Sequence, residues 1–237
     1  MNRKLFCCCI FLLLQTTLFA QTSLGVEGGL SSNRYQTNIT NRASTVLTRS
    51  NGVYVGLPFR YAVRRWLYLT TAPGLVQKGY SMDRTDPFYG EFDRHVNTYL
   101  QLPVGVSLVY SWRRLRVSLD PSIYAGYWLS GRVKGRTANI FDFTENPGTN
   151  GQQSESFHLS DYSGNYSFLS RRDNRWEFGW SLGLGSCYHL SGHYWLTGAA
   201  RWYQAMTSQE KKAVSAIPAY NQTWVFSIGG MWTLDKL

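Results

Sequence analysis

The chain has 237 residues, with 24 Lys and Arg against 14 Asp and Glu, a formal charge of +10. Its 43% hydrophobic content includes 16% aromatic residues, yet the mean hydropathy is only −0.28. That combination fits a polypeptide that alternates apolar and polar residues, and the lack of a helix-length apolar segment beyond residue 20 excludes a helical membrane protein.

The chain opens with "MNRK", continues through the apolar "LFCCCIFLLL" and leaves by "QTTLFA". A basic start, a short apolar core and a small residue at the exit form the layout of a secretory signal peptide over 1–20. An uncleaved anchor is the alternative reading of the same stretch. Removing Arg3 and Lys4 takes two from the charge of +10 and leaves +8. Three of the four cysteines leave with this segment, so Cys187 stands alone and internal disulfides are not part of the design. Residues 21–237 are of a length that suits a single all-β domain or one small barrel.

Eight runs of period-two alternation follow, at 23–32, 51–63, 66–81, 96–111, 115–131, 175–190, 193–206 and 222–234. In the second, Val53, Val55, Leu57, Phe59, Tyr61 and Val63 share one face and Tyr54, Gly56, Pro58, Arg60 and Ala62 the other. In the fourth, Leu100, Leu102, Val104, Val106 and Leu108 oppose Asn97, Gln101, Gly105 and Ser107. In the fifth, Leu115, Val117, Leu119 and Ile123 oppose Arg116, Ser118, Asp120 and Ser122. In the sixth, Trp176, Phe178, Trp180, Leu182 and Leu184 oppose Glu177, Ser181 and Gly183.

Connections alternate in length. Short ones fall at 64–65, 112–114 and 191–192, and long polar ones at 33–50, 82–95, 132–174 and 207–221. An even strand number with short turns on one rim and long loops on the other predicts an all-β fold: an eight-stranded antiparallel up-and-down transmembrane barrel, with short periplasmic turns and long extracellular loops. A soluble sandwich or lipocalin-like barrel also alternates, but neither segregates its loops by length or places aromatics at the stripe ends. Here Tyr61, Trp66, Tyr110, Trp112, Trp195, Trp202 and Trp232 are expected in interfacial girdles. Within the longest connection, "TENPGTNGQQSESFHLSDYSGNYS" reads as loop, its Gly, Pro, Asn and Ser opposing a strand.

Several stretches are familiar together: "VGLPFRYAV", "WLYLTTAPGLVQKGYS", "YLQLPVGVSLVYS", "LRVSLDPSIYAGYWLSGRVKG", "GLGSCYHL" and "WVFSIGGMWTL". Across nearly all of 21–237 the chain resembles the PorT-like family of outer-membrane β-barrel proteins. The resemblance rests on Gln77-Lys78-Gly79-Tyr80, Leu102-Pro103 and Ala125-Gly126-Tyr127. It implies an eight-stranded barrel in the outer membrane of a Gram-negative bacterium. The family's namesake is linked to a protein secretion and gliding apparatus, and no catalytic residues come with the likeness.

An eight-stranded barrel is only wide enough to be filled by its own side chains. Parity turns Glu27, Arg60, Gln101, Arg116, Asp120, Glu177 and Arg201 inward. Both signs are present, so the expectation is a packed polar network of mutual ion pairs without an open pore; a proton or small-solute path is the alternative. Pro58, Pro73, Pro103 and Pro121 lie six to ten residues from the Arg64-Arg65 and Arg113-Arg114 turns, at similar height on four consecutive strands. They predict bulges, or together a softened wall.

Hydrolase chemistry would need a Ser–His or Asp–His set near the outer rim. His95 near Asp93, and His158 among Ser156, Ser160 and Asp161, are the candidates, but four scattered histidines make such proximity ordinary. His189 and His193 flank a tight turn and read as solvated rim. No enzyme, cofactor or metal site is therefore expected. The paired arginines lack a nucleic-acid recognition motif, so outer-membrane lipid and lipopolysaccharide are the expected counter-charges. A protein partner would meet the 132–174 loop, through Phe157, Tyr162, Tyr166 and Phe168, or the strands of 51–131. The function expected is a structural or binding role, with a component of a secretion apparatus and a narrow channel as alternatives.

Overall fold

The computed structural model describes residues 22–37, 44–86, 88–146, 154–211 and 218–234, and side chains there except those of 139–146 and 154–157. The expected signal peptide, residues 1–20, lies outside the described residues. Among those described there are eleven strand segments. They are β1 (Thr22–Thr37), β2 (Thr45–Gly56), β3 (Phe59–Arg64), β4 (Leu67–Thr71), β5 (Gly74–Arg84), β6 (Phe92–Trp112), β7 (Leu115–Asn146), β8 (Ser154–Asn165), β9 (Trp176–Ser191), β10 (Tyr194–Ala205) and β11 (Ala219–Thr233).

They make eight walls. Segments β2 and β3 are one wall interrupted at Leu57-Pro58, both pairing with β1. Segments β4 and β5 are the next, interrupted at Ala72-Pro73 and both pairing with β6. The ring continues through β7, β9, β10 and β11, and β11 closes it against β1 from Ser23↔Thr233 to Thr37↔Ala219. Every pairing is antiparallel, and closure leaves the membrane-level backbone no free edge.

Burial is inverted relative to a soluble domain. Leu30, Ile123 and Ile228 are 66%, 70% and 65% exposed, whereas Glu27 and Glu177 are 3% and 4% exposed. Carboxylates inside and branched aliphatics outside are tolerable only if the outer medium is hydrocarbon. Trp66, Tyr110, Trp112, Tyr194 and Trp232 form the outward aromatic band at the short-turn end, with Trp176, Phe178, Trp180, Trp202 and Trp224 at the other. Trp195 corrects the expected girdle. It is 7% exposed and faces inward beneath the Arg116 guanidinium, 4.1 Å from the ring centroid, because Tyr194 takes the outward position of that pair.

The short turns sit at Arg65-Trp66, Arg113-Arg114 and Gly192-His193, with left-handed backbone at Arg113 (φ 52°) and Gly192 (φ 54°). On the opposite rim the strands run far past the sequence-based limits. Strand β7 continues to Asn146 and β8 pairs back onto it from Arg132↔Asn165 to Asn146↔Ser154. The segment expected as loop is therefore largely a hairpin. Serine, asparagine and glycine keep both backbone groups and can pair; only proline loses its donor, and Pro147 falls between the two strands.

The prolines do gather at one height. Pairing jumps from Val55↔Leu75 and Gly56↔Gly74 to Phe59↔Thr71, skipping Pro58 and Pro73. Between β6 and β7 it jumps from Gly105↔Ser122 to Leu108↔Leu119, across from Pro121. Proline carbonyls still accept: Leu57 N donates to Pro73 O and Gly25 N to Pro58 O, both at 2.9 Å, and Thr71 Oγ1 donates to Pro103 O at 2.7 Å.

Candidate functional site: the filled interior and its mouth

The interior contains three ion pairs stacked along the barrel. Towards the short-turn end, Arg60 reaches Asp120 at 3.8 Å and donates to Cys187 Sγ at 3.2 Å. Ser107 and Ser118 donate to the two Asp120 oxygens, the latter at 3.1 Å. In the middle, Arg201 donates to both Glu27 oxygens, at 2.6 and 3.1 Å, and Tyr54 and Ser227 hydroxyls supply further donors at 2.8 and 3.0 Å. Above this, Lys78 pairs with Glu177, which also accepts from Tyr124 Oη at 3.0 Å and Asn221 Nδ2 at 2.7 Å. The Lys78 ammonium lies 5.0 and 5.1 Å from the Tyr99 and Tyr124 ring centroids. Asn221 continues the network through Asn33 to Thr223 and the Gly79 carbonyl.

All seven residues assigned inward by parity face the interior here. Gln101 is 3% exposed, and Arg116 stacks on Trp195, with no carboxylate within 4.0 Å among the described residues. Tyr54 shares its face with Arg60 by parity, whereas Lys78, Asn33, Asn221 and Tyr124 are interior groups that were not assigned there from the sequence. The signal for Lys78 was its parity with Val76 and Tyr80. Beside Pro58, Ala72, Pro103 and Asp120 a void of about 20 Å³ remains, room for about one water. The short-turn end opens into a vestibule lined by Arg64, Arg65, Tyr68, Val109 and Arg116.

Aromatic rings cover the other end. Tyr35 stacks on Tyr80 at 4.5 Å, Tyr80 on His95 at 4.6 Å, and His95 meets Tyr166 edge-on at 6.1 Å. Tyr166 and Phe168 in turn pack on Trp128, each at 4.9 Å between centroids. Beneath them lie Tyr54, Val76, Tyr99, Tyr124, Tyr203 and Val225. This seat is pinned by Asp173, which accepts from Leu169 N at 2.7 Å, Tyr166 Oη at 2.9 Å and Arg172 Nε at 3.0 Å. Burial raises the Asp173 carboxyl, but those donors outweigh it and hold the pKa below the ordinary carboxylate value. Burial, then the bond to Asp173, pushes the Tyr166 phenol up to about 12. Arg175 donates to Trp128 O at 3.0 Å and lies 4.3 Å from the Phe168 ring.

Of the four loop residues expected at a contact, Tyr166 and Phe168 therefore turn inward as a cover, and Tyr162 is 41% exposed. The Phe157 side chain lies outside the described residues. The structure brings the first candidate pair together: His95 Nε2 is 2.8 Å from Asp93 Oδ2, with the ring stacked in the aromatic column on Tyr80. In the second candidate set, Asp161 is bonded to Arg136 Nε at 2.7 Å. His189 Nε2 lies 2.9 Å from Gly192 O at the turn. Among the described residues no three His, Cys, Asp or Glu side chains group as metal ligands.

A closed antiparallel ring with a hydrocarbon-compatible exterior, two aromatic bands and an ion-paired filling defines an outer-membrane β-barrel. The chain belongs to the outer membrane protein beta-barrel domain family, whose model matches residues 19–209, and its location is accordingly the outer membrane. No curated protein matches the chain. Among solved structures it is similar to OprG from Pseudomonas aeruginosa, at 11% identity and a TM-score of 0.47 over 90% of this chain and 95% of that one. Neisserial surface protein A gives 8% identity and 0.45 over 89% and 97%. Ail, the attachment invasion locus protein of Yersinia pestis, gives 10% identity and 0.40 over 90% and 99%.

Proposed function

We propose that this is a non-enzymatic barrel that is structurally plugged and acts by binding, through the surface of its extended hairpin β7–β8 and the neighbouring connections. The observation carrying this reading is the filling: three ion pairs and the Trp128–Tyr166–Phe168 cover occupy the interior from the short-turn side of mid-barrel to the mouth. A solute would have to break charge pairs in a low-dielectric interior, at a cost of several kcal/mol. The partners on this reading are outer-membrane lipid and lipopolysaccharide, with a protein partner on the hairpin or on the walls of 51–131; nucleic acid is not among them. Reconstitution in planar bilayers should give no single-channel conductance. Steady unitary currents would replace this reading with the narrow-channel one.

A second reading, a PorT-like component of a secretion or gliding apparatus, is supported by Gln77-Lys78-Gly79-Tyr80: Lys78 of that tetrad carries the ion pair with Glu177. Crosslinking in intact cells followed by co-purification tests it, and recovery of the barrel with lipid alone would remove it.

A further inference from the structure

The outward face of the wall changes chemistry where it leaves the apolar zone. On β7 the apolar series closes at Leu129, and past the bulge opposite Thr98/Tyr99 the outward positions are Arg132, Lys134 and Arg136. Across the ladder Val96 opposes Arg132, Arg94 opposes Lys134 and Phe92 opposes Arg136. Strand β8 places Asn165, Ser163 and Asp161 opposite the same three residues. The Arg94 and Arg136 guanidinium groups lie 5.1 and 5.8 Å from the Phe92 ring centroid, so one ring organises two cations. Asp161 is committed to Arg136 through two bonds, at 2.7 and 3.2 Å. Among the described residues no carboxylate comes within 4.0 Å of Arg94, Arg132 or Lys134. Arg94, Arg132 and Lys134 are exposed.

A rise of about 3.3 Å per residue puts Arg132 and Lys134 roughly 10–17 Å beyond Leu129 along a tilted strand. That is the head-group level of the leaflet whose tails meet Leu100, Leu102 and Leu129. We infer that Arg94, Arg132 and Lys134 form a binding site for the phosphorylated head group of the outer-leaflet glycolipid, with its acyl chains lying on the apolar stripe below. Arginine supplies the paired donors that suit a phosphate, and Lys134 a point charge between them. Apolar wall and cationic band are continuous on one face, so a ligand with phosphate above and tails below satisfies both. The inference rests on the reading that the β7–β8 hairpin faces the cell exterior.

Two measurements separate the site from that orientation. In intact cells, Ser163→Cys should react with a membrane-impermeant maleimide, since Cys187 is buried; failure to label overturns the orientation and the site with it. Given labelling, the full chain in detergent is titrated with diphosphoryl lipid A, with dephosphorylated lipid A, and with diphosphoryl lipid A in excess inorganic phosphate. The triple variant Arg94→Gln, Arg132→Gln, Lys134→Gln should bind diphosphoryl lipid A about 100-fold more weakly. Arg113→Gln with Arg114→Gln, at the short turn, should bind as the parent does. Retained heat-modifiable migration on gels shows that each variant is folded. Equal affinity for dephosphorylated lipid A, an equal loss in the turn variant, or displacement by inorganic phosphate would each overturn the assignment.

Discussion

Lys78 and Glu177 meet inside the barrel although 99 residues separate them, and their side chains are only 1% and 6% exposed. Neither partner has bulk water to fall back on. Removing one leaves the other uncompensated, whereas removing both relieves the burial cost of each.

Lys78→Met should therefore destabilise the barrel by about 3–5 kcal/mol, as read from urea unfolding in detergent. The double variant Lys78→Met, Glu177→Leu should recover most of that loss. Equal destabilisation by single and double variants would show that the pair is not coupled.

The mouth should open in acid. Asp173 has a folded-state pKa below its unfolded value of about 3.9, so its contribution is complete above that value and is lost as pH falls through the lower folded pKa. Amide exchange over 166–174 should stay slow from neutral pH to about pH 4 and accelerate below it. Asp173→Asn should show fast exchange there at neutral pH. Loosening of the parent protein already near pH 6 would contradict the assignment.

Exchange should also single out the proline belt. Amides flanking Pro58, Pro73, Pro103 and Pro121 should exchange faster than those at matched depth on β9, β10 and β11, whose ladders are unbroken at that level. Uniform protection round the ring would mean that the remaining bonds hold the wall as firmly as a full ladder.

The outer face gives the simplest check. Ile228→Arg places a charge against lipid tails and should cost about 2–4 kcal/mol if that position is near the midplane. Leu234→Arg, beyond the last strand, should cost about 0–1 kcal/mol. Equal penalties would argue against a hydrocarbon boundary.

Much of this architecture was legible because side-chain direction alternates strictly along a strand. Val53, Val55 and Leu57 set the lipid side, and the same parity turns Glu27, Arg60, Asp120, Glu177 and Arg201 inward. Alternation says nothing about height, so neither the pairing of Lys78 with Glu177 nor the bond from Asn221 to Glu177 could be read from it. The strand extensions escaped for another reason. Above the membrane neither face needs to be apolar, so residues such as Ser163 and Asn165 pair without leaving the hydrophobic signature by which strands are recognised. Trp195 misled because an aromatic near a strand end resembles a girdle residue whichever way it points. The turn inward of Tyr166 and Phe168 depends on Asp173, whose role is set by a bend and not by any period.

The positions of the donors around Glu27 and Glu177 bear on how such a chain comes together. Ser227 and Asn221, which complete those two carboxylates, and Thr223, which completes Asn33, all arrive on β11, the last wall in sequence. A nascent sheet still lacking that wall holds half-solvated acids next to lipid and an unpaired first strand. Insertion is thus biased toward all-or-none: seam closure and charge neutralisation are the same event, and a partly built barrel has little reason to persist.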